Sequence, residues 1–322
     1  MTVRPGPAVR GALSYRPVRF DELDACADVW RLSINDYIGR LNQPDMQAES
    51  APLVRLYAHL QSTDPERFVV ATRPDPDAPG GERIVAFAAA VVRERLWFLS
   101  MCFVLPEVQG GGVGRNLLAR IAPPADAATV RATGTDSAQP ISNALYASLG
   151  IVPRVPLLNL IGLPARPDAF GPLPAGIRVT SFERMAADGH EKLVTVVDAL
   201  DRETLGVSHP IDHLYLRQEN RRGWLYAGPD GAPLAYGYAT EAGRIGPVAS
   251  RDPDLLAPIL GHLTTEVMPR GAFAVWLPGT ADRAVIGALQ AGFRLEPFPV
   301  LLCWDRPFVD LSRYVPISPG LL

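Results

Sequence analysis

The residues Gln109-Gly110-Gly111-Gly112-Val113-Gly114-Arg115 have the types and spacing to hold a phosphate. Glycine lets a backbone approach a ligand closely and turn successive N–H groups toward it. The apolar run from Leu96 to Leu105, ended by Pro106, reads as a buried strand feeding this turn. Leu117, Leu118 and Ile121 follow at helical spacing, so the turn opens a helix. A helix start adds N–H groups without intrahelical acceptors and the positive end of a dipole. Pyrophosphate is the natural guest of such a place. Two familiar nucleotide loops do not fit. The P-loop needs Lys-Ser/Thr after its last glycine, and Gly114 is followed by Arg115 and Asn116. The dinucleotide pattern G-x-G-x-x-G fails at Arg115 when started at Gly110, and at Leu117 when started at Gly112. An ATP-binding reading of the loop is weak for the first of these reasons.

A third pattern, Q/R-x-x-G-x-G/A, is matched in full by Gln109, Gly112 and Gly114. Downstream, Tyr146-Ala147-Ser148-Leu149-Gly150-Ile151 is similar to a Y-x-x-L-G-F segment. On these two segments, about a dozen residues, the protein resembles the GNAT superfamily of acetyl-CoA-dependent N-acyltransferases. The resemblance implies an α+β fold, an α/β three-layer sandwich whose mixed, mostly antiparallel sheet is flanked by helices. It implies acetyl-CoA as acyl donor, its pyrophosphate held by Gln109, Gly110, Gly111, Gly112, Val113 and Gly114, with Arg115 as a phosphate partner. The strand before the loop would pair with the pantetheine arm, and an N–H among Met101, Cys102, Phe103 and Val104 would polarise the thioester carbonyl. Tyr146 would stand beside the sulfur. Relatives often carry an asparagine seven residues before this tyrosine. Gln139 takes that place here, a departure that puts the hydrogen bonding on the CoA side in question.

Direct acyl transfer to an amine needs an anchored thioester, a polarised carbonyl, a neutral amine and a proton for the thiolate. Tyr146 is the candidate acid, the competing reading being a core aromatic on a helix face. The base is not evident. Many relatives place a glutamate on the strand before the loop, and Leu96 to Leu105 holds no carboxylate. Glu94, Glu107 and Asp136 flank the region, and Glu107 reads as a solvated surface charge. Water held by backbone groups, or an amine arriving neutral, would serve instead. With no activated nucleophile in view, covalent ping-pong catalysis is not expected. His59 lies on an expected helix and reads as a surface or packing residue. His209 and His213 stand four apart without an evident third ligand, so no metal site is expected.

The net charge of −3 with 20% charged residues argues against a nucleic-acid binder driven by bulk charge. Lys192 is the only lysine, and the remaining basic charge is arginine. Cys26, Cys102 and Cys303 are too few and too scattered for a disulfide framework. No apolar run approaches the ~18 residues of a membrane span, and Met1 to Leu13 lacks the hydrophobic core of a signal peptide. A cytoplasmic protein with no membrane partner is the expectation. Oligomeric state stays open, a homodimer among the options.

The positioning elements follow from periodicity. Met1 to Ala12 is expected to fray. Then come a strand (Leu13 to Phe20), a helix capped by Asp21, a second helix around Leu53 to Leu60, and strands at Phe68 to Ala71, Ile84 to Val92 and Leu96 to Val104. The loop and its helix follow, then a strand near Thr129 to Ala132, a helix ending at Leu149, and a strand from Val152 to Leu160. The order is β–α–α–β–β–β–α–β–α–β. Pro164 to Gly176, with four prolines, reads as a semi-rigid linker. Beyond it the order restarts, with strands at Ile177 to Phe182, Trp224 to Ala227, Leu234 to Thr240, Arg244 to Ala249, Ala272 to Leu277 and Leu295 to Cys303. Helices fall at Glu183 to Leu200, Pro210 to Gln218, Pro253 to Val267 and Asp282 to Ala291. Two GNAT-like domains in tandem are therefore expected: 1–163 with the loop, a linker at 164–176, and a degenerate copy at 177–322. In the second copy Ser250-Arg251-Asp252-Pro253-Asp254 replaces the glycines. Asp252 would cap the helix, and two acids there would repel pyrophosphate. Ala288 stands where Tyr146 would be. The second half thus reads as scaffold or pocket wall.

The leading expectation is an N-acetyltransferase with one site, in the first half. Its acceptor would be a small amine, an antibiotic-like amine or a peptide N-terminus, entering between the first two helices and the domain junction. The alternative is a non-catalytic acyl-CoA sensor or interaction module of the same fold.

Overall fold

The computed structural model describes residues 13–46, 50–125 and 128–322. The Gly-, Pro- and Arg-rich start, Met1 to Ala12, expected to fray, lies outside the described residues. The first half runs β1 (Ser14–Pro17), α1 (Leu23–Gly39), α2 (Ala51–Thr63), β2 (Phe68–Pro74), β3 (Glu82–Arg93), β4 (Leu96–Val104), α3 (Val113–Ile121), β5 (Val130–Asp136), α4 (Pro140–Ala147) and β6 (Val152–Gly162). The second runs β7 (Arg178–Ser181), α5 (Phe182–Thr204), α6 (Pro210–Gln218), β8 (Arg222–Ala227), β9 (Pro233–Ala239), β10 (Arg244–Ser250), α7 (Leu256–Glu266), β11 (Phe273–Pro278), α8 (Asp282–Ala291), β12 (Arg294–Leu295), β13 (Val300–Trp304) and β14 (Tyr314–Val315). The expected order is present twice.

The contacts divide the chain elsewhere than at the proline-rich segment. One compact unit comprises residues 1–92 and 97–129, the other 93–96 and 130–322. In the first unit β1, β2, β3 and β4 are successive neighbours in the sheet, and β1–β2 and β2–β3 pair antiparallel. Its core is aromatic. Tyr57 packs edge-on to Phe68 and Phe87 at 5.8 and 5.3 Å between centroids, and Phe87 reaches Phe103 at 5.7 Å. Trp97, on β4, donates from Nε1 to the Ile121 carbonyl at 3.0 Å, fixing the end of α3. Asp21 does not cap α1 as expected. It lies in a 3-10 turn, and the residue before the helix is Glu22, which makes no side-chain cap to it. The Glu22 carboxylate instead receives the Arg16 guanidinium and the Arg19 N–H.

In the second unit the strand order is β5-β13-β6-β11-β10-β9-β8-β7. The last long strand of the chain, β13, inserts between β5 and β6 and pairs antiparallel with both. In turn β6 pairs with β11 and β12. Strands from either side of residue 163 are thus interleaved, and this is why the contacts do not part there. The segment 164–176 is not a free spacer either. Phe170 is 3% exposed within the core of the second half, edge-on to Phe293 at 6.0 Å, and the Arg166 N–H donates to the Ala291 carbonyl. The expected single strand from Leu295 to Cys303 is broken in two: Pro297 and Pro299 flank Phe298, whose φ is 58°. Of the five tryptophans, Trp97, Trp224 and Trp304 are buried, while Trp30 and Trp276 are half-buried.

Because β13 is flanked by two strands, its inward side chains lie in the packed interior, and shortening one opens a cavity on that face of the sheet. Leu302, 3% exposed, is such a residue. Leu302→Ala is expected to cost about 2–5 kcal/mol, read as a lower urea midpoint. Leu214→Ala, at a position 48% exposed, should stay within about 0.5 kcal/mol of the parent.

Candidate functional site

The glycine loop is built as its residue types require. Gly110 and Gly112 have φ of 81° and 77°, a region L side chains rarely adopt. A Cβ at Gly110 would meet nothing within 4 Å, so the glycine is demanded by conformation and not by crowding. Gly110, Gly111 and Gly112 are exposed, Gly114 is half-buried, and Arg115 is exposed. Val113 points inward, where it anchors α3 at 5% exposure. Gly112 is the N-cap of α3 and brings no side-chain cap. The first intrahelical bond is Asn116 N–H to Gly112 O at 3.0 Å, so the N–H groups of Val113, Gly114 and Arg115 precede the helical ladder. The result is an open, positively polarised cradle at the surface.

Gln109 shapes the entry to this cradle. Its Nε2 donates to the Val104 carbonyl at 2.9 Å, strapping the loop to the end of β4. The Ser33 hydroxyl donates to the same carbonyl at 3.1 Å, bringing α1 against it. Val104 O therefore already accepts two hydrogen bonds. Along β4, Leu96 to Ser100 are buried while Met101, Cys102, Phe103 and Val104 are partly exposed. The strand turns from core to surface where pairing with a ligand was expected. Phe103 itself packs against Trp30 of α1, 6.4 Å between centroids.

Tyr146 and Gln139 group with the second unit. Tyr146 is 5% exposed on the last turn of α4, and its carbonyl accepts from the N–H groups of Leu149 and Ile151. Gly150, with φ of 81°, reverses the chain into β6. Arg131 holds this corner, donating to Leu149 O at 2.9 Å and to Asp305 Oδ2 at 2.9 Å. Gln139 is the residue before α4, and what the structure uses of it is its carbonyl, bonded by Asn143. Sequence reasoning overlooked Asn143. Its Nδ2 donates to the carbonyls of Asp136 and Gln139, at 2.9 and 2.7 Å, leaving its Oδ1 buried with no hydrogen-bond partner. The available signal was spacing: Asn143 stands three before Tyr146, on the same helical face.

The base candidates are engaged elsewhere. Glu94, in the turn before β4, pairs with Arg202 at 2.7 Å. Glu107 lies 3.8 and 3.9 Å from Arg73 and Arg83. Asp136 Oδ1 accepts the Ala138 N–H at 2.8 Å. His59 is buried on α2 and is no surface residue.

The second half closes each feature that the first leaves open. Asp252 accepts the Asp254 N–H at 3.0 Å, which caps the 3-10 turn Pro253–Leu255 leading into α7 and not α7 itself, whose own start has no side-chain cap; Asp254 pairs with Arg283 at 2.7 Å. The strand before this turn, β10, runs parallel to β11 only at Arg244 and Ile245. Beyond a bulge its exposed edge is taken by β14, with Val248 opposite Val315 and Ala249 opposite Tyr314. This half thus covers the edge of the strand with its own chain.

His209 and His213 do have a third partner. Asp201, from the end of α5, brings a carboxylate so that one ligand atom of each of the three lies within 4.8 Å of the others. Burial would raise the Asp201 carboxyl, yet the two imidazoles hold it well below the usual carboxylate range. Burial would depress His209, but the Asp201 charge and hydrogen bond, with Asp212, carry it up to about 10. His213 is held below the usual imidazole range, chiefly by burial. A cleft lined by Phe182, Val197, Pro210, Arg217, His213 and Tyr238 adjoins this group.

The model of the acetyltransferase (GNAT) family matches residues 29–151. No curated protein matches the chain. Among solved structures the chain is similar to a putative acetyltransferase from Pyrococcus horikoshii, with a TM-score of 0.72, 13% identity and 99% of each chain covered. It is similar to a GCN5-related N-acetyltransferase from Sphaerobacter thermophilus, with a TM-score of 0.58, 19% identity, and 94% of this chain and 98% of that one covered. It is also similar to a tandem GNAT protein from the clavulanic acid biosynthesis pathway, with a TM-score of 0.50, 16% identity, and 92% and 99% covered. At such identities the likeness is one of fold. The family match is confined to residues 29–151, and over its length the chain shares the fold of these acetyltransferase structures.

Proposed function

We propose that the chain is an acetyl-CoA-dependent N-acyltransferase with a single donor site at the glycine loop of its first half. The observation that carries this reading is the uncapped start of α3. Two glycines at positive φ precede it, and three N–H groups there have no intrahelical acceptor. Gln109, Gly110, Gly111, Gly112, Val113 and Gly114 would hold the pyrophosphate, with Arg115 beside them. An N–H of Met101 to Val104 would polarise the thioester carbonyl, and Tyr146 would protonate the departing thiolate. The acceptor substrate is an amine, of a small molecule or a peptide. The closed state of the second half, capped by Asp252 and paired by β14, supports confining the chemistry to the first.

A specific observation favours the sensor alternative. Glu94 and Glu107 sit beside arginines and Asp136 caps a turn, so none of the three is a ready base. Thiol release from acetyl-CoA with a panel of amines separates the two readings. Tight CoA binding without turnover on any amine would establish the sensor.

Two substitutions test the assignment. Gly112→Val forces a β-branched residue into left-handed backbone, at about 1–3 kcal/mol, and should weaken CoA binding at least ~10-fold by calorimetry. Tyr146→Phe should leave CoA affinity unchanged and lower kcat by about 10²–10⁴. An unaltered kcat would remove Tyr146 from the proton path.

A further inference from the structure

The cluster at the junction of α5 and α6 has the construction of a metal centre. His209 precedes α6 and His213 lies one turn into it, so the i, i+4 spacing sets both rings on one face, 4.5 Å between centroids. Both turn Nε2 toward a single atom. His213 Nε2 is 2.8 Å from Asp201 Oδ2, and His209 Nε2 is 3.3 Å from the same oxygen. Ligand atoms about 2 Å from a shared ion stand roughly 3.3 Å apart in a tetrahedral shell, which is near the observed spacing.

The far side of each ligand is held as metal ligands are held. His213 Nδ1 is 3.0 Å from the Tyr238 hydroxyl. His209 Nδ1 faces Asp212 Oδ2 at 3.5 Å, a buried nitrogen lacking a hydrogen bond of ordinary length. Asp212 is itself fixed by a two-pronged bond from Arg93, both contacts 2.7 Å. The free oxygen of Asp201, Oδ1, accepts the Tyr236 hydroxyl at 2.5 Å. An imidazole that ligates through Nε2 must carry its proton on Nδ1, and both Nδ1 atoms face an oxygen that can accept it. Without an ion, two Nε2–H groups share one carboxylate oxygen and the His209 Nδ1 stays poorly satisfied.

Charge points the same way. Arg93 and Asp212 cancel, leaving one carboxylate facing two imidazoles. A dication with two neutral imidazoles and one carboxylate is the balance of known zinc sites built from two histidines and an acid. Nitrogen and oxygen ligands without sulfur suit zinc and its neighbours better than calcium or magnesium. The Tyr314 hydroxyl, 3.5 Å from His209 Nε2, stands near the remaining position. Asp201, His209 and His213 are all buried, and His213 and Tyr238 line a cleft that offers an approach.

We propose that Asp201, His209 and His213 bind one zinc-class divalent ion, which ties α5 to α6 in the second half. The site is structural, and it is separate from the glycine loop and from the reading placed on it.

The test uses the full chain purified without a metal-affinity tag. Elemental analysis should find about one zinc per chain. A chelator should remove it and lower Tm, and added zinc should restore Tm. Cobalt in its place should give the visible ligand-field bands of a four-coordinate nitrogen–oxygen site. His209→Gln with His213→Gln should abolish cobalt uptake. Tyr238→Phe, which removes only a support of His213, should weaken zinc binding about 10-fold while the protein stays folded. Nitrogen NMR of the parent chain should place both imidazole protons on Nδ1 when zinc is present. The proposal is overturned if the folded, chelator-washed parent takes up neither zinc nor cobalt. It is equally overturned if the double variant, folded by circular dichroism, takes up cobalt as the parent does, since the ion would then sit elsewhere.

Discussion

A main-chain N–H or carbonyl withdrawn from its regular partner must be met by water, by a side chain or by a ligand. The two halves of this protein meet that requirement in opposite ways at equivalent places. At the start of α3 the first half supplies glycines and no capping side chain, and leaves the amides outward. Before α7 the second half inserts a 3-10 turn, and the Asp252 carboxylate takes a donor of that turn. The same contrast holds on the strands. The end of β4 emerges from the core partly exposed, whereas β10 is paired past its bulge by residues from the end of the chain. A repeated element order thus ends in two local structures that differ by a few residues at the helix start and the strand edge.

Much of this was legible in order along the chain. The bounds of β4, α6 and α8 coincide with those expected from apolar periodicity, because each is a local pattern closed by a proline or glycine. The glycine turn was legible for the same reason: its chemistry is contained in seven consecutive residues. What escaped was non-local. The insertion of β13 between β5 and β6 depends on pairing across more than a hundred residues, and no window of sequence reports it. Two-residue β14 is too short to alternate. Phe170 looked like part of a spacer since its neighbours are prolines and glycines, yet a single aromatic side chain suffices to dock the segment.

Side-chain partners were hidden in similar fashion. Beyond its spacing from Tyr146, Asn143 has no signature in the sequence, and the structure puts a buried amide oxygen without a hydrogen-bond partner there, one helical turn beyond position 139. His209 and His213 were recognised as a pair, but Asp201 stands eight residues upstream on another helix, beyond any fixed spacing. Periodicity describes which face of an element is buried. It does not report which polar groups from separate elements converge within that buried space, and such convergence is where the chemistry of this chain was least readable.

The strand β14 has a kinetic meaning as well as a geometric one. A segment joined to its own slot by a short stretch of chain acts there at an effective concentration in the millimolar range for a short flexible tether. A diffusing small molecule seeking the edge of β10 would compete against an occupant that never leaves the neighbourhood. Excluding a guest from this half needs no change inside the slot, only a tail long enough to reach back into it.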